Sequence, residues 1–417
     1  MQKRRFIFFI STFCAFIIIT FFPLASNTQE EFTIKKVDGV EVVSNPKQPV
    51  PKEGSRKRLV FEEDLTIGSV DGEKNSMFGG LICFNTDDDG NFYVSDTKAL
   101  RIQKYSPQGE YLLTIGREGQ GPGEFRSLSV VRFDKNDNLF ICDVTGRKVS
   151  FFNKEGKFLK QIKMPGSYEN LYINSKGLMI ASKYEQIPSE NALTMISTAE
   201  LFDQDFKPLA EIHKIQREMP LPGKDLSSRV QIMANMISLT AFKPQEFLTL
   251  AENDLIYFGY PEKYEINIAS PEGKLVKKIT REYDPVPVRE KDRENFEDMM
   301  SQEETFTNMP DDTRKKIFQL IKYPEYKPAY QSFTLIKSGL HQSFALMENG
   351  WLALIADHVE GEYSIFDLFD REGRYVGKFK TTIPVEGLFF NNGKAYAIAT
   401  EEGYRFVKRY KFKIEKY

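Results

Sequence analysis

The 417-residue chain holds one Trp, three His and three Cys. Histidines at 213, 341 and 358 are too few and too scattered to supply the converging imidazoles of a zinc lyase. Three cysteines cannot knit a disulfide scaffold. Cys14 lies in an apolar leader, while Cys83 and Cys142 sit within apolar strands and read as two buried thiols. An oxidising compartment would still allow that pair to bridge. No Gly-x-Ser-x-Gly elbow is present, which argues against a serine hydrolase. An excess of basic charge is lacking as well, with 57 Lys and Arg against 59 Asp and Glu.

The long apolar run at the start, residues 6–22, follows Lys3, Arg4 and Arg5 and ends at Pro23-Leu24-Ala25-Ser26. A positive start, an apolar middle and a small-residue end predict a signal peptide over residues 1–26. An uncleaved N-terminal anchor is the alternative, since the run approaches spanning length. Cleavage would remove three basic residues of 57, leaving 54 against 59 acidic, a net of −5. Nucleic acid is therefore not expected as a partner. Residues 27–58 are polar and proline-bearing, with Arg56-Lys57-Arg58 at their end, and read as an exported linker.

What the chain does have is a phrase that returns. Gly-Asn-Phe-Tyr-Val-Ser-Asp at 90–96 comes back as Asn-Leu-Phe-Ile-Cys-Asp at 138–143. Asp96 to Asp143 and Gly109 to Gly156 are both 47 positions. A period of that length made of short strands predicts a radial β-repeat. Alternating apolar segments at 91–96, 138–143, 177–183, 254–260, 350–357 and 393–400 read as the second strands of six repeats. Tight turns after the third strands fall at Gly109, Gly156, Asp205, Gly273 and Gly373. The sixth repeat runs out at 404–414 without a fourth strand, and residues 58–68 resemble the fourth strand at 109–116. The expected fold is an all-β, six-bladed β-propeller over residues 59–417, with an N-terminal strand closing the last four-stranded blade.

Residues 88–96, 101–105 and 119–125 resemble the NHL repeat, and the chain as a whole resembles the exported six-bladed propeller proteins of bacteria. The likeness is clearest over 75–165; later repeats keep only the turn-and-strand skeleton. The resemblance implies a ring with a binding surface and no single activity, since such propellers serve as scaffolds, sensors and lyases.

Two stretches break the period. Residues 221–247 have helical spacing around Val230, Ile232, Met233, Met236 and Ile237, and residues 287–328 predict helices near 289–301 and 311–321. In an antiparallel meander alternate loops fall on alternate faces. Both insertions join consecutive blades, so they share a face with the Gly-rich loop 116–123 and with the loops after the second strands. Candidate contact residues on that face are Arg117, Arg126 and Arg147, whose guanidinium groups suit a carboxylate or sulfate; Asp357 and His358; and Tyr323, Tyr326 and Tyr330, which could stack on a sugar or peptide.

Asn85, Asp87, Asp89, Gly90 and Asp96 mimic a calcium loop, but Asp96 lies at the far end of a strand, about 20 Å from the turn. A polar hairpin turn is the expected structure. The Gly-rich loop lacks a following Gly-Lys-Ser/Thr and leads into a strand, unlike a phosphate loop. No catalytic set and no cofactor emerge, calcium being the candidate metal. The expected function is binding of a glycan, peptide or envelope protein in the periplasm or cell envelope. A calcium- or zinc-dependent lactonase or lyase on the same ring is the alternative.

Overall fold

The computed structural model describes residues 32–49, 57–72, 75–80, 83–189, 192–220, 226–251, 253–330, 333–335, 340–342, 344–346, 352–359, 363–381, 383, 386–401 and 403–416. The predicted leader over 1–26 lies outside them.

Six sheets form the ring, each built on four antiparallel strands. Blade one comprises Phe84–Thr86, Phe92–Asp96, Arg101–Tyr105 and Tyr111–Ile115. Blade two repeats it with Val130–Phe133, Leu139–Asp143, Lys148–Phe152 and Phe158–Lys163. The second strands of blades three to six are Met179–Pro188, Ile256–Gly259, Leu352–Val359 and Lys394–Glu401, each where the alternation predicts one. A separate pair, Phe333–Leu335 with Leu340–Gln342, precedes blade five.

Closure is as expected. Lys57–Ile67 pairs antiparallel with Tyr404–Lys416 and supplies the fourth strand of blade six. Arg409 and Lys394 both reach Asp64 at 2.7 Å across that seam. The first strands are also linked from blade to blade. Asn391 donates to Thr86 Oγ1 at 2.8 Å, Asn85 to the Val131 carbonyl at 3.4 Å, Arg132 to the Leu171 carbonyl at 2.7 Å and Tyr172 to the Leu248 carbonyl at 3.2 Å. Apolar clusters fill the spaces between neighbouring blades; one joins Tyr93 and Ile102 of blade one to Val131 and Ile141 of blade two.

Two expectations need correction. Residues 27–58 are not simply a linker. Thr33–Val37 and Val40–Asn45 form a hairpin whose second strand pairs parallel with Leu275–Arg281, extending blade four to six strands. Asn45 is the tie: its amide donates to the Gly373 carbonyl at 2.9 Å and the Thr280 carbonyl at 3.1 Å, and its Oδ1 accepts the Tyr375 N–H at 2.8 Å. Polar composition hides this hairpin, because it docks through backbone pairing, the buried Asn45 amide and a single buried apolar residue, Val43, rather than through a broad apolar face.

The second correction concerns the blade-three turn. The left-handed residue there is Phe206, at φ 62°, and not Asp205. Its N–H bonds the Asp203 carbonyl at 3.2 Å, as Gly156 bonds Asn153 at 2.9 Å. A bulky residue is strained at positive φ. Phe206 is held there by burial against Tyr168 and Phe202, with ring centroids 5.5 and 5.1 Å away.

Both cysteines are free. Cys142 is wholly buried, and burial pushes its thiol up to about 12. Cys142 behaves as the small apolar residue its strand calls for, whereas Cys83 lies just before Phe84–Thr86 with its sulfur 3.0 Å from Ser95 Oγ.

Candidate functional site

The face that carries the inter-blade loops is organised by the repeated aspartate. Asp143 ends the second strand of blade two and is fully buried. It accepts the Arg126 N–H at 2.9 Å, the Ser127 N–H and hydroxyl at 3.0 Å, and the Gly146 N–H at 2.7 Å. One carboxylate therefore staples the loop entering the blade to the loop between its second and third strands. A Cβ on Gly146 would lie 2.2 Å from Asp143 Oδ2, so this close approach demands glycine. Asp96 does the same in blade one with longer bonds, from Gly79 at 3.3 Å and Ala99 at 3.2 Å. Strand pairing places Lys183 at the corresponding position of blade three and Asp357, opposite Ile365, at that of blade five, where a bulge at Ala356 shifts the register; Tyr260 follows the second strand of blade four at the same spacing. The hydrogen-bonded clamp is described in blades one and two, and blade five keeps an aspartate in the same register.

The segment that mimics a calcium loop forms the polar hairpin turn expected of it. Asp87 accepts the Asn91 N–H at 2.8 Å, its amide at 2.9 Å, and the Tyr93 hydroxyl at 3.2 Å. The Gly-rich loop likewise spends its groups on itself. Gly121 N–H bonds Glu124 at 2.9 Å, Gly119 N–H bonds the Phe125 carbonyl at 2.9 Å, and Phe125 is fully buried. No cluster of three or more potential metal ligands is found among the described residues.

The predicted arginines divide. Arg117 is paired with Glu124 at 2.7 Å, and the Gly121 amide and that guanidinium hold the Glu124 carboxyl below its ordinary range. Arg126 and Arg147 are exposed, and neither guanidinium has an ion pair or hydrogen bond among the described residues. Both spring from loops stapled to Asp143.

The three tyrosines part company as well. Tyr326 is 46% exposed. Tyr323 packs on Phe242 and Phe296 and donates to Glu297 at 3.0 Å. Tyr330 is wholly buried, donating to the Glu265 carbonyl at 2.7 Å beside Phe247. Tyr330 is therefore withdrawn as a contact residue, and Tyr323 serves to pin the insertion. Spacing groups these side chains along the chain; its course in space sends them to different layers. Asp357 and His358 lie in Leu352–Val359 opposite Ile365 and Ser364, and their side chains fall outside the described residues.

The insertions pack against each other. Residues 221–247 carry α1 (Leu226–Ser238), and residues 287–328 carry α2 (Glu290–Ser301), α3 (Glu304–Thr307) and α4 (Asp311–Leu320). Ala234, Ile237 and Ala241 meet Phe306, Ile317 and Ile321 in a core separate from the blades. The Lys322 N–H bonds Ser238 Oγ at 2.8 Å, joining the end of α4 to the end of α1. The larger insertion leaves and re-enters at one place, where Lys327 N–H bonds the Val286 carbonyl at 2.8 Å and Val288 N–H bonds the Glu325 carbonyl at 2.9 Å. Asp292 anchors this stem, accepting Arg289 at 2.8 Å and Lys327 at 3.0 Å. Burial alone would raise its pKa, yet those bonds outweigh it and hold the carboxyl below its ordinary value.

Where the first insertion rejoins blade four stands a group that sequence reading misses. Glu246 is 5% exposed, hydrogen-bonded to Ser197 Oγ, with Oε1 unpartnered among the described residues. Burial raises its pKa against the lowering pull of Ser197 and Arg217. No motif flags such a residue, because its environment is assembled from blade three and an insertion.

Residues 81–216 match the family described as 6-bladed beta-propeller. The chain is a six-bladed β-propeller. The matched stretch runs from the start of blade one into blade three and contains both aspartate clamps, the most regular part of the ring. No curated protein matches the propeller's sequence. Among solved structures, a candidate exported protein of Bacteroides fragilis is similar at 12% identity and TM-score 0.50, over 90% of this chain and 100% of its own. A duf4221 family member from Bacteroides vulgatus (8% identity, 87% and 100% covered, TM-score 0.45) is a looser likeness. So is an inactive variant of virginiamycin B lyase from Staphylococcus aureus (12% identity, 84% and 99% covered, TM-score 0.39). These likenesses are of fold.

Proposed function

We propose that the propeller is an exported binding protein whose loop face, roofed by the two insertions, receives a glycan, peptide or envelope-protein partner. The observation that carries this reading is the one-sided elaboration of the ring. Both insertions join consecutive blades, and they share an apolar core of their own. A closed ring needs no such roof for stability. Variable loops on a rigid scaffold are where binding sites are usually built. The leader at 1–26 supports export, and among the described residues no helix is long and apolar enough to cross a membrane.

The test removes residues 221–243 and 289–326 together, each replaced by a short Gly-Ser link, so that no half of the insertion core is left exposed. Pull-downs from envelope extract should recover a partner with the intact chain and lose it with the trimmed ring, whose strand circular dichroism persists. A trimmed ring that retains its partner would refute the reading.

A further inference from the structure

We propose that the blade-two corner of the loop face binds an acidic glycan, with Arg126 and Arg147 together taking one carboxylate or sulfate group. The inference rests on the loop face being the binding face.

The repeat itself isolates these two residues. At the 47-residue offset, Arg126 answers to Gly79 and Arg147 to Leu100. The backbone at each pair is alike: Gly79 and Arg126 both donate an N–H to the clamp aspartate, and Leu100 and Arg147 have φ 50° and 51°. Blade one shows that the clamp needs no arginine at either position. Arg147 also occupies a left-handed position that an unbranched side chain tolerates only at a cost. Scaffold and side chain are therefore separable here, and the scaffold does not explain the side chains.

The electrostatics favour an anion. The Asp143 carboxylate spends its lone pairs on three backbone N–H groups and the Ser127 hydroxyl and forms no ion pair with either guanidinium among the described residues. Arg117 has its own partner in Glu124, and Lys148 is turned to the Gly121 carbonyl at 3.1 Å. Two exposed guanidinium groups without ion pairs among the described residues thus rise from loops whose backbones meet at one carboxylate, on a chain with a net acidic charge. Guanidinium matches carboxylate and sulfate through planar, paired N–H donors. A glycan fits better than a peptide because peptide hot spots cluster in well-packed, desolvated pockets around aromatic anchors, whereas these two arginines are exposed. The one exposed large apolar residue among the described residues of blade two is Leu159, on the fourth strand rather than in these loops.

The experiment measures binding of the chain without residues 1–26 to oligogalacturonate, dextran sulfate, neutral dextran and poly-glutamate. The variants are R126A/R147A, R126K/R147K and R371A. Arg371 is an exposed control on the turn between third and fourth strands of blade five, on the opposite face. The acidic glycans should bind and neutral dextran should not. R126A/R147A should lower affinity about tenfold or more with an unchanged melting temperature. R126K/R147K should recover only part, because lysine keeps charge without the fork, and R371A should match the parent. Acidic glycans binding no better than dextran, or equally well to R126A/R147A, would overturn the proposal. Poly-glutamate binding more tightly than either glycan would overturn it in favour of a peptide. Loss of a partner on trimming the insertions, without any of these effects, would leave the broader binding reading standing alone.

Discussion

Asp143→Ala is the sharpest test of how the loop face is built. The parent carboxylate is fully buried and takes four hydrogen bonds between 2.7 and 3.0 Å. Alanine leaves three backbone N–H groups and the Ser127 hydroxyl without their acceptor. A buried donor left unsatisfied costs about 1–3 kcal/mol. The loops on either side are partly exposed, so water can recover some of these groups, and a total near 4 kcal/mol is the expected loss. The clamp in blade one provides an internal scale. Asp96 takes N–H bonds of 3.3 and 3.2 Å and a contact to Arg101 at 3.6 Å, so Asp96→Ala should cost less, about 1–2 kcal/mol. At roughly 2 cal/mol/K per residue, each kcal/mol corresponds to about 1 °C for a chain of this size, so differential scanning calorimetry should show drops of about 5 °C and 1–2 °C. Urea midpoints should fall in the same order with unchanged slopes. Equal losses, or a smaller loss for Asp143→Ala, would show that bond number and length do not set the clamp's strength.

Glu246→Gln should abolish a pH sensitivity. Its raised pKa means that the folded chain favours the neutral acid, so its contribution is complete below the unfolded value and is lost as pH rises through the folded one. Parent and variant should melt alike at pH 4, while at pH 8 the variant should melt higher; equal melting at both would refute this. Phe206→Gly should relieve about 1 kcal/mol of left-handed strain but lose about 3–5 kcal/mol of aromatic burial, a net loss of about 3 kcal/mol in urea titrations. Asn45→Ala removes three hydrogen bonds, two of them buried, and should destabilise by about 2–4 kcal/mol, with hydrogen exchange rising first in residues 33–45 and 275–281.

Much of the ring is legible in the sequence because its signals are local. Strand alternation, the turns at Gly109, Gly156, Gly273 and Gly373 and the match between 58–68 and 109–116 need no knowledge of distant contacts, and the seam at Lys57–Ile67 bears them out. Phe206 escapes such reading because it breaks the turn's residue preference and is rescued by neighbours that only folding supplies. The hairpin at Thr33–Asn45 escapes it for a similar reason: its partner strand lies more than two hundred residues away.

The six-fold repeat, the closing strand and the face on which the insertions must emerge are all written in the order of the residues, because strand period and meander parity are consequences of local geometry. Which side chains on that face remain free is settled by folding alone. Tyr330 is buried, Arg117 is neutralised, and the loops that carry Arg126 and Arg147 are joined through Asp143, since burial and pairing depend on which loops a fold brings into contact.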